Sequence, residues 1–150
     1  MHLHDLFEPD AISLDRSAAA KTDVLAAIVG LLALEARHTD QLLRLLERRE
    51  QLGSTGFGRG IAIPHCRSLA VQRLRVAYVR LLQPVEFAAI DHQPVRHVFL
   101  IVAPPLEVSN QYLPVLGRLA QFVKEPGALA RLDALQRPTD LIDLLRELHL

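Results

Sequence analysis

The stretch from Gly53 to His65, GSTGFGRGIAIPH, holds four of the chain's seven glycines. Glycine permits positive φ and lets another group approach the backbone closely. Glycines at every second or third position exceed what one turn needs. They fit a loop whose exposed N–H groups form an anion-binding concavity. Ser54 and Thr55 add hydroxyls and Arg59 adds a cation. Ile61-Ala62-Ile63 then reads as a short strand with His65 at its end. The loop fits neither common nucleotide fingerprint. A Walker loop needs Gly-Lys followed by Ser or Thr, and here Ile61 follows Gly60. The pattern GxGxxG fails because Ile61 stands where a third glycine belongs after Gly56 and Gly58. On residue chemistry alone, a structural loop weighs at least as much as a phosphate site.

Upstream, Thr39 is placed to cap a helix whose buried stripe is Leu42, Leu45 and Leu46, with Arg44, Glu47 and Arg48 off it. Gly53 stops that helix, so Arg49 falls in its last turn beside the loop. As a cation it suits the negative helix end. An earlier helix is predicted from Ser17 or Thr22 to about Arg37, with Val24, Ile28, Leu31 and Leu32 at helical spacing and Gly30 interrupting. Residues 1–16 predict a short docked helix or strand. His2 and His4 are expected to be solvated and unrelated to metal binding.

Downstream, Arg75 to Leu82 is a strand candidate that Pro84 ends. Phe87 to Pro94 reads as a loop or tight turn. Val98-Phe99-Leu100-Ile101-Val102-Ala103 is a continuous apolar run, the pattern of a central strand covered on both faces. Asn110 is placed to cap a helix to Lys124, with Leu113, Leu116, Leu119, Ala120 and Val123 inward and Pro114 in its first turn. A short helix over 126–135 follows. Thr139 is placed to cap a last helix, with Leu141, Leu144, Leu145 and Leu148 inward and Asp140 near its positive end. Helices flank strands throughout, without repeats or linkers. One α/β domain over 1–150 follows.

Composition bounds the function. The 150 residues suffice for one domain with a real core, and half are hydrophobic, which opposes disorder. Seventeen basic residues balance seventeen acidic ones, so no nucleic-acid partner is expected. A lone cysteine, Cys66, excludes an internal disulfide framework and fits a reducing cytoplasm. No signal peptide and no membrane-spanning run are evident, so no membrane insertion is expected. No cluster has metal-ligand spacing, and no metal or cofactor is expected.

The run REQLGSTGFGRGIAIPHCR, from Arg49 to Arg67, resembles the active-site signature of the fructose/mannitol-type enzyme IIA domains of the phosphoenolpyruvate-dependent sugar phosphotransferase system. It is most similar to their nitrogen-regulatory branch. Weaker similarity extends over PVEFAAIDHQPV (84–95) and the helical tail. The resemblance implies a mixed sheet with helices on both faces. It also implies that His65 accepts a phosphoryl group from a histidine phosphocarrier protein (HPr-like) and later donates it. The implied partners downstream are a regulated kinase, a transporter or an enzyme IIB. Support for the loop and phosphate would come from Arg49, Gly53, Ser54, Thr55, Gly56 and Gly58.

An imidazole, with a reference pKa of about 6.5, is a competent neutral nucleophile at phosphorus. The site must orient the ring, offer donors to the phosphoryl oxygens and stay open to two proteins in turn. Cys66 adjoins His65, yet neighbours on an extended segment point to opposite faces, so it reads as a small buried apolar group. His92 is expected in an exposed turn and His97 at a strand end. Phe57 reads equally as part of a docking patch or of the core. Many relatives carry a second histidine at the start of the helix after the central strand. Here Tyr112 takes that position. A tyrosine hydroxyl can hydrogen-bond but carries no positive charge. Ala88, where relatives often have an acid, departs less. These departures leave a second reading, a regulatory protein-binding module in which phosphorylation is weak or absent.

Overall fold

The computed structural model describes residues 2–150. Its strands are β1 (Ile12–Arg16), β2 (Gly56–Gly58), β3 (Ile61–Ala62), β4 (His65–Arg67), β5 (Arg75–Val85) and β6 (Val95–Ala103). Its helices are α1 (Lys21–Gly30), α2 (Ala36–Leu52), α3 (Tyr112–Lys124), α4 (Ala128–Asp133) and α5 (Pro138–Glu147). The sheet order is β1-β5-β6-β3-β2, with β4 also paired to β6. β1 is parallel to β5, and β3 and β4 are parallel to β6. The β5–β6 and β2–β3 pairs are antiparallel. The mixed sheet with helices on both faces is as expected.

The apolar run at 98–103 sits at the centre of β6, and every one of its side chains is fully buried. Alternation sends successive residues to opposite faces. Phe99, Ile101 and Ala103 join the core beneath α3, α4 and α5. Val98, Leu100 and Val102 join the core beneath α1 and α2. β5 divides in the same way, with Val76 and Tyr78 on the first face and Ala77, Val79 and Leu81 on the second. The amino-terminal segment docks by both routes foreseen. Two 3-10 turns, Leu3–Asp5 and Pro9–Ala11, lead into edge strand β1.

Several boundaries differ from expectation, each for a local reason. α1 starts at Lys21 because the Asp23 carboxylate accepts from the Ala20 N–H at 3.0 Å; neither Ser17 nor Thr22 caps it. It stops at Gly30, so the glycine ends the helix rather than interrupting it. Thr39 lies within the first turn of α2, its N–H already bonded to the Glu35 carbonyl. Leu45 is 40% exposed, while Leu42 and Leu46 are buried. α3 begins after Gln111, whose N–H donates to Glu107 at 2.8 Å, and Asn110 is one residue outside the cap. Tyr112, Val115, Leu119, Phe122 and Val123 face the core, and Leu113 faces out. At α5 the capping acceptor is Asp140, bonded by Gln136 and Arg137 N–H groups, and not Thr139. Leu148 is 42% exposed.

β5 continues through Pro84 to Val85. Pairing with β6 shifts register between Arg80 and Val85, so the proline falls where no ladder hydrogen bond is required. His97 is not a strand-end residue but a buried one, 3% exposed. Its ring lies 2.7 Å from the Tyr78 hydroxyl through Nδ1 and 2.9 Å from Asp133 through Nε2. The partners assign Nε2–H as donor to the carboxylate and Nδ1 as acceptor from the hydroxyl. Burial holds His97 below the usual imidazole range, against the opposing pull of Asp133. Arg80, 4% exposed, donates to the carbonyls of Leu132, Asp133 and Leu135 at the end of α4 and pairs with Asp15 at 3.1 Å. Carbonyls at a helix C-terminus outnumber the backbone donors available to them, so Arg80 completes their bonding and fixes α4 to the sheet.

Candidate functional site

His65 does not end the strand at Ile61; it opens the separate strand β4. Pro64 causes the break, since it has no N–H to continue a ladder. Register is nevertheless kept along β6, with Ala62 opposite Val98 and His65 opposite Ile101. β6 then leads through residues 104–111 to Tyr112, so the chain returns beside His65. The two rings are 6.3 Å apart. The substitution at the usual second-histidine position therefore lies at the site itself.

His65 is half-buried. Its Nδ1 is 2.7 Å from the Ile63 carbonyl. A carbonyl only accepts, so Nδ1 carries the proton and Nε2 keeps its lone pair. Cys66 points to the opposite core, among α1 and α2 residues. Burial pushes its thiol up to about 12, which removes it as a nucleophile at neutral pH. Arg67, two residues on, returns to the His65 face. Its guanidinium lies 4.5 Å from the Tyr112 ring centre and donates to the Pro104 carbonyl at 3.2 Å. Burial pushes the Tyr112 hydroxyl up to about 12, while Arg67 and Arg49 pull it down. The phenol is thus a neutral hydrogen-bond partner at physiological pH.

The glycine stretch is a tight hairpin rather than an open nest. Arg49, in the last turn of α2, donates to the Gly53 carbonyl at 2.7 Å and fixes the loop's entry. The Thr55 N–H donates to Glu50 at 3.0 Å, and the Thr55 hydroxyl bonds the same carboxylate. Lys21 bonds Glu50 at 2.9 Å from α1. The Gly56 N–H donates to the Ser54 hydroxyl oxygen at 2.9 Å. Arg59 and Gly60 turn the chain with φ of 58° and 80°, and Asp91 accepts from the Arg59 N–H. The donors of Thr55 and Gly56 are therefore already engaged, by Glu50 of α2 and by Ser54, while Ser54 keeps its hydroxyl proton to donate. Arg59 reaches the Lys124 carbonyl, at the far end of α3 from Tyr112, roughly 18 Å along the axis. It takes no part in the His65 cluster.

Gly56 is needed for space. A Cβ there would meet the Ala89 Cβ at 2.6 Å and the Ser54 hydroxyl at 2.9 Å. Gly56→Ala is expected to cost about 1–3 kcal/mol, read as a lowered melting temperature. Gly117→Ala is the control. Nothing lies within 4 Å of its added methyl, and alanine suits a helix better, so its melting temperature should hold or rise.

Sequence reasoning brought His65, Arg49, the loop and Tyr112 into one region. It missed Glu50, Lys21 and Arg67. Leu42, Leu46 and Glu50 recur at four-residue spacing, so the carboxylate lies on the buried stripe of α2 and a partner was foreseeable. Phe57 is half-buried against the core, with the Lys124 ammonium 5.3 Å from its ring centre. The segments adjoining His65 instead expose Leu52, Leu69, Leu106, Val108 and Leu113, each at least 67% accessible. Exposed apolar patches are a common mark of protein-contact surfaces. No helix among the described residues is long and apolar enough to cross a membrane.

Fold and site together define a small α/β domain that presents one oriented imidazole, with exposed apolar side chains on the neighbouring segments. The family described as "Phosphoenolpyruvate-dependent sugar phosphotransferase system, EIIA 2" matches residues 5–148. The chain belongs to this family, whose members are phosphotransfer components. It is 34% identical over 134 residues to a nitrogen regulatory protein of Pseudomonas aeruginosa, spanning 88% of this chain and 86% of that one. The crystal structure of nitrogen regulatory protein IIA-Ntr from Neisseria meningitidis superposes with a TM-score of 0.85 at 28% identity, covering 95% of this chain and 98% of that one. Enzyme IIA of the mannitol system of Escherichia coli, solved in complex with phosphorylated enzyme IIB, shares the fold. Its TM-score is 0.75 at 21% identity, covering 94% of this chain and 97% of that one.

Proposed function

We propose that this protein is a phosphoryl relay with a regulatory output, in which Nε2 of His65 takes a phosphoryl group from a histidine phosphocarrier protein (HPr-like). The observation that carries this reading is the Nδ1–H bond to the Ile63 carbonyl, which leaves Nε2 as the nucleophile. The Nε2 lone pair forms a bond to phosphorus as the P–N bond to the donor imidazole breaks. The donor ring leaves with that electron pair. Positive charge develops on the His65 ring, and the Ile63 carbonyl stabilises it through Nδ1–H. Transfer onward to an enzyme IIB, or hydrolysis, reverses the geometry. No metal is needed for these steps.

Arg49 and Arg67 supply positive charge for the phosphoryl oxygens, and Tyr112 and Ser54 supply neutral donors. Gly53, Thr55, Gly56 and Gly58 act by shaping the loop. The exposed apolar segments adjoining His65 receive the carrier and, in turn, a kinase, a transporter or an enzyme IIB. The nitrogen regulatory relatives favour control over sugar uptake as the output, and the cytoplasm is the compartment where such partners meet.

The test incubates the full chain with phosphoenolpyruvate, enzyme I and phosphocarrier, and reads intact mass. One added phosphoryl group, labile in acid and stable in base, supports the relay. No modification, with the organism's own carriers and a folded chain, favours the binding module that works through the surface alone, a reading that Tyr112 at the second-histidine position supports. Arg67, stacked on Tyr112 beside His65, offers a further test of the relay. Arg67→Gln is expected to slow phosphorylation by roughly tenfold to a hundredfold. Adding Tyr112→His should recover much of that loss, because an imidazolium restores the charge.

A further inference from the structure

Three metal-ligating side chains at the amino terminus serve neither the fold's core nor the His65 site. Among the described residues, His2, His4 and Asp5 bring their ligand atoms within 4.8 Å of one another. His2 Nδ1 lies 3.7 Å from Asp5 Oδ2, and His4 Nε2 lies 3.4 Å from Asp5 Oδ1. Bonds of 2.0–2.1 Å in a tetrahedral zinc site set neighbouring ligand atoms roughly 3.3 Å apart. Each histidine thus lies near that spacing from a carboxylate oxygen of Asp5, His2 from Oδ2 and His4 from Oδ1, and one ligand atom from each residue falls within 4.8 Å of the others. The histidine rings stack with centroids 5.0 Å apart, so a small swing of one ring closes the remaining gap.

The site is held in place as well as assembled. Leu3, between the two histidines, is fully buried, which anchors the backbone of the Leu3–Asp5 turn. The His4 N–H bonds the Leu150 carbonyl at 3.3 Å, and His4 Nδ1 is bonded to that same oxygen. Since that oxygen only accepts, Nδ1 carries a proton, and Nε2 is the ring atom that faces Asp5. A ligating histidine whose other nitrogen donates to a carbonyl is the usual arrangement at metal centres.

We propose that His2, His4 and Asp5 bind one divalent ion of the zinc, cobalt or nickel class, with water completing the shell. Two imidazoles and one carboxylate suit these borderline ions better than calcium or magnesium. The ion ties the Leu3–Asp5 turn to Leu150 through His4. Its binding stabilises the folded chain by mass action.

The test titrates Zn²⁺ into the full chain without an affinity tag, by calorimetry at pH 7.5, with Co²⁺ absorbance as a second readout. His4 also holds Leu150, so the exposed pair His2→Ala and Asp5→Asn carries the test, because neither change disturbs the core. The expected result is one Zn²⁺ per chain, a tetrahedral Co²⁺ spectrum, and a metal-dependent rise in melting temperature. Each variant should weaken binding at least tenfold and lose that rise. No binding at millimolar Zn²⁺, or equal binding by wild type and both variants, overturns the proposal. Neither result bears on phosphorylation of His65.

Discussion

His65→Ala is expected to abolish phosphoryl acceptance completely and to leave the fold in place. The reason lies in how little else the side chain does. The ring is half-buried, and its one bond to the backbone is Nδ1–H to Ile63. A hydrogen bond of this kind contributes about 0.5–1.5 kcal/mol, so the melting temperature should fall by only a few degrees. The backbone of β4 keeps its pairing with β6. Neither neighbour can take over. Cys66 is buried in the opposite core, and Tyr112 holds its proton at neutral pH. The variant therefore separates chemistry from surface. A regulated partner whose binding survives the change unaltered, and ignores phosphorylation, would remove the relay from the regulatory role.

Arg80→Met is expected to be the most damaging change away from the site. Methionine keeps the apolar stem and removes the guanidinium. Three carbonyls at the end of α4 then lose the guanidinium, two of these bonds being buried, and Asp15 loses its cation. Breaking a buried, hydrogen-bonded ion pair costs about 3–5 kcal/mol. Asp15 is 54% exposed and regains water, which points to the lower end, about 3 kcal/mol. In a domain of this size that is a fall of roughly 10 °C in melting temperature. Removing Arg73, whose pair with Glu8 is exposed on both sides, should change little. Equal effects of the two substitutions would show that Arg80 does not fix α4 to the sheet.

Much of this fold was legible because its signals are local. The apolar run at 98–103 has no polar residue to mark an outer face, and it became the sheet's centre. Gly53 stopped α2 where expected. The histidine in register with its glycine stretch pointed to the site. What failed depended on choices between rival partners. Hydroxyls at Thr22, Thr39 and Thr139 looked like caps, yet at α1 and α5 the carboxylates of Asp23 and Asp140 took that role. Leu113 was placed inward as a leucine, but the core-facing stripe of α3 begins one residue earlier, at Tyr112. Pro84 looked like a strand end, and a register shift accommodated it. The loop's donors were visible in the sequence, whereas their internal acceptors were not. Glu50 lies five residues from Thr55, and Asp91 lies thirty-two from Arg59. The Arg67–Tyr112 stack joins two segments that only β6 brings together.

The most direct test of the central claim is the identity of the phosphorylated nitrogen. Two-bond ¹H–¹⁵N correlation of the phosphorylated, ¹⁵N-labelled chain distinguishes the two ring positions of His65. Phosphorus on Nε2, with Nδ1 still protonated, is the expected result. Phosphorus on Nδ1, or on any residue other than His65, would contradict the orientation that the Ile63 carbonyl imposes.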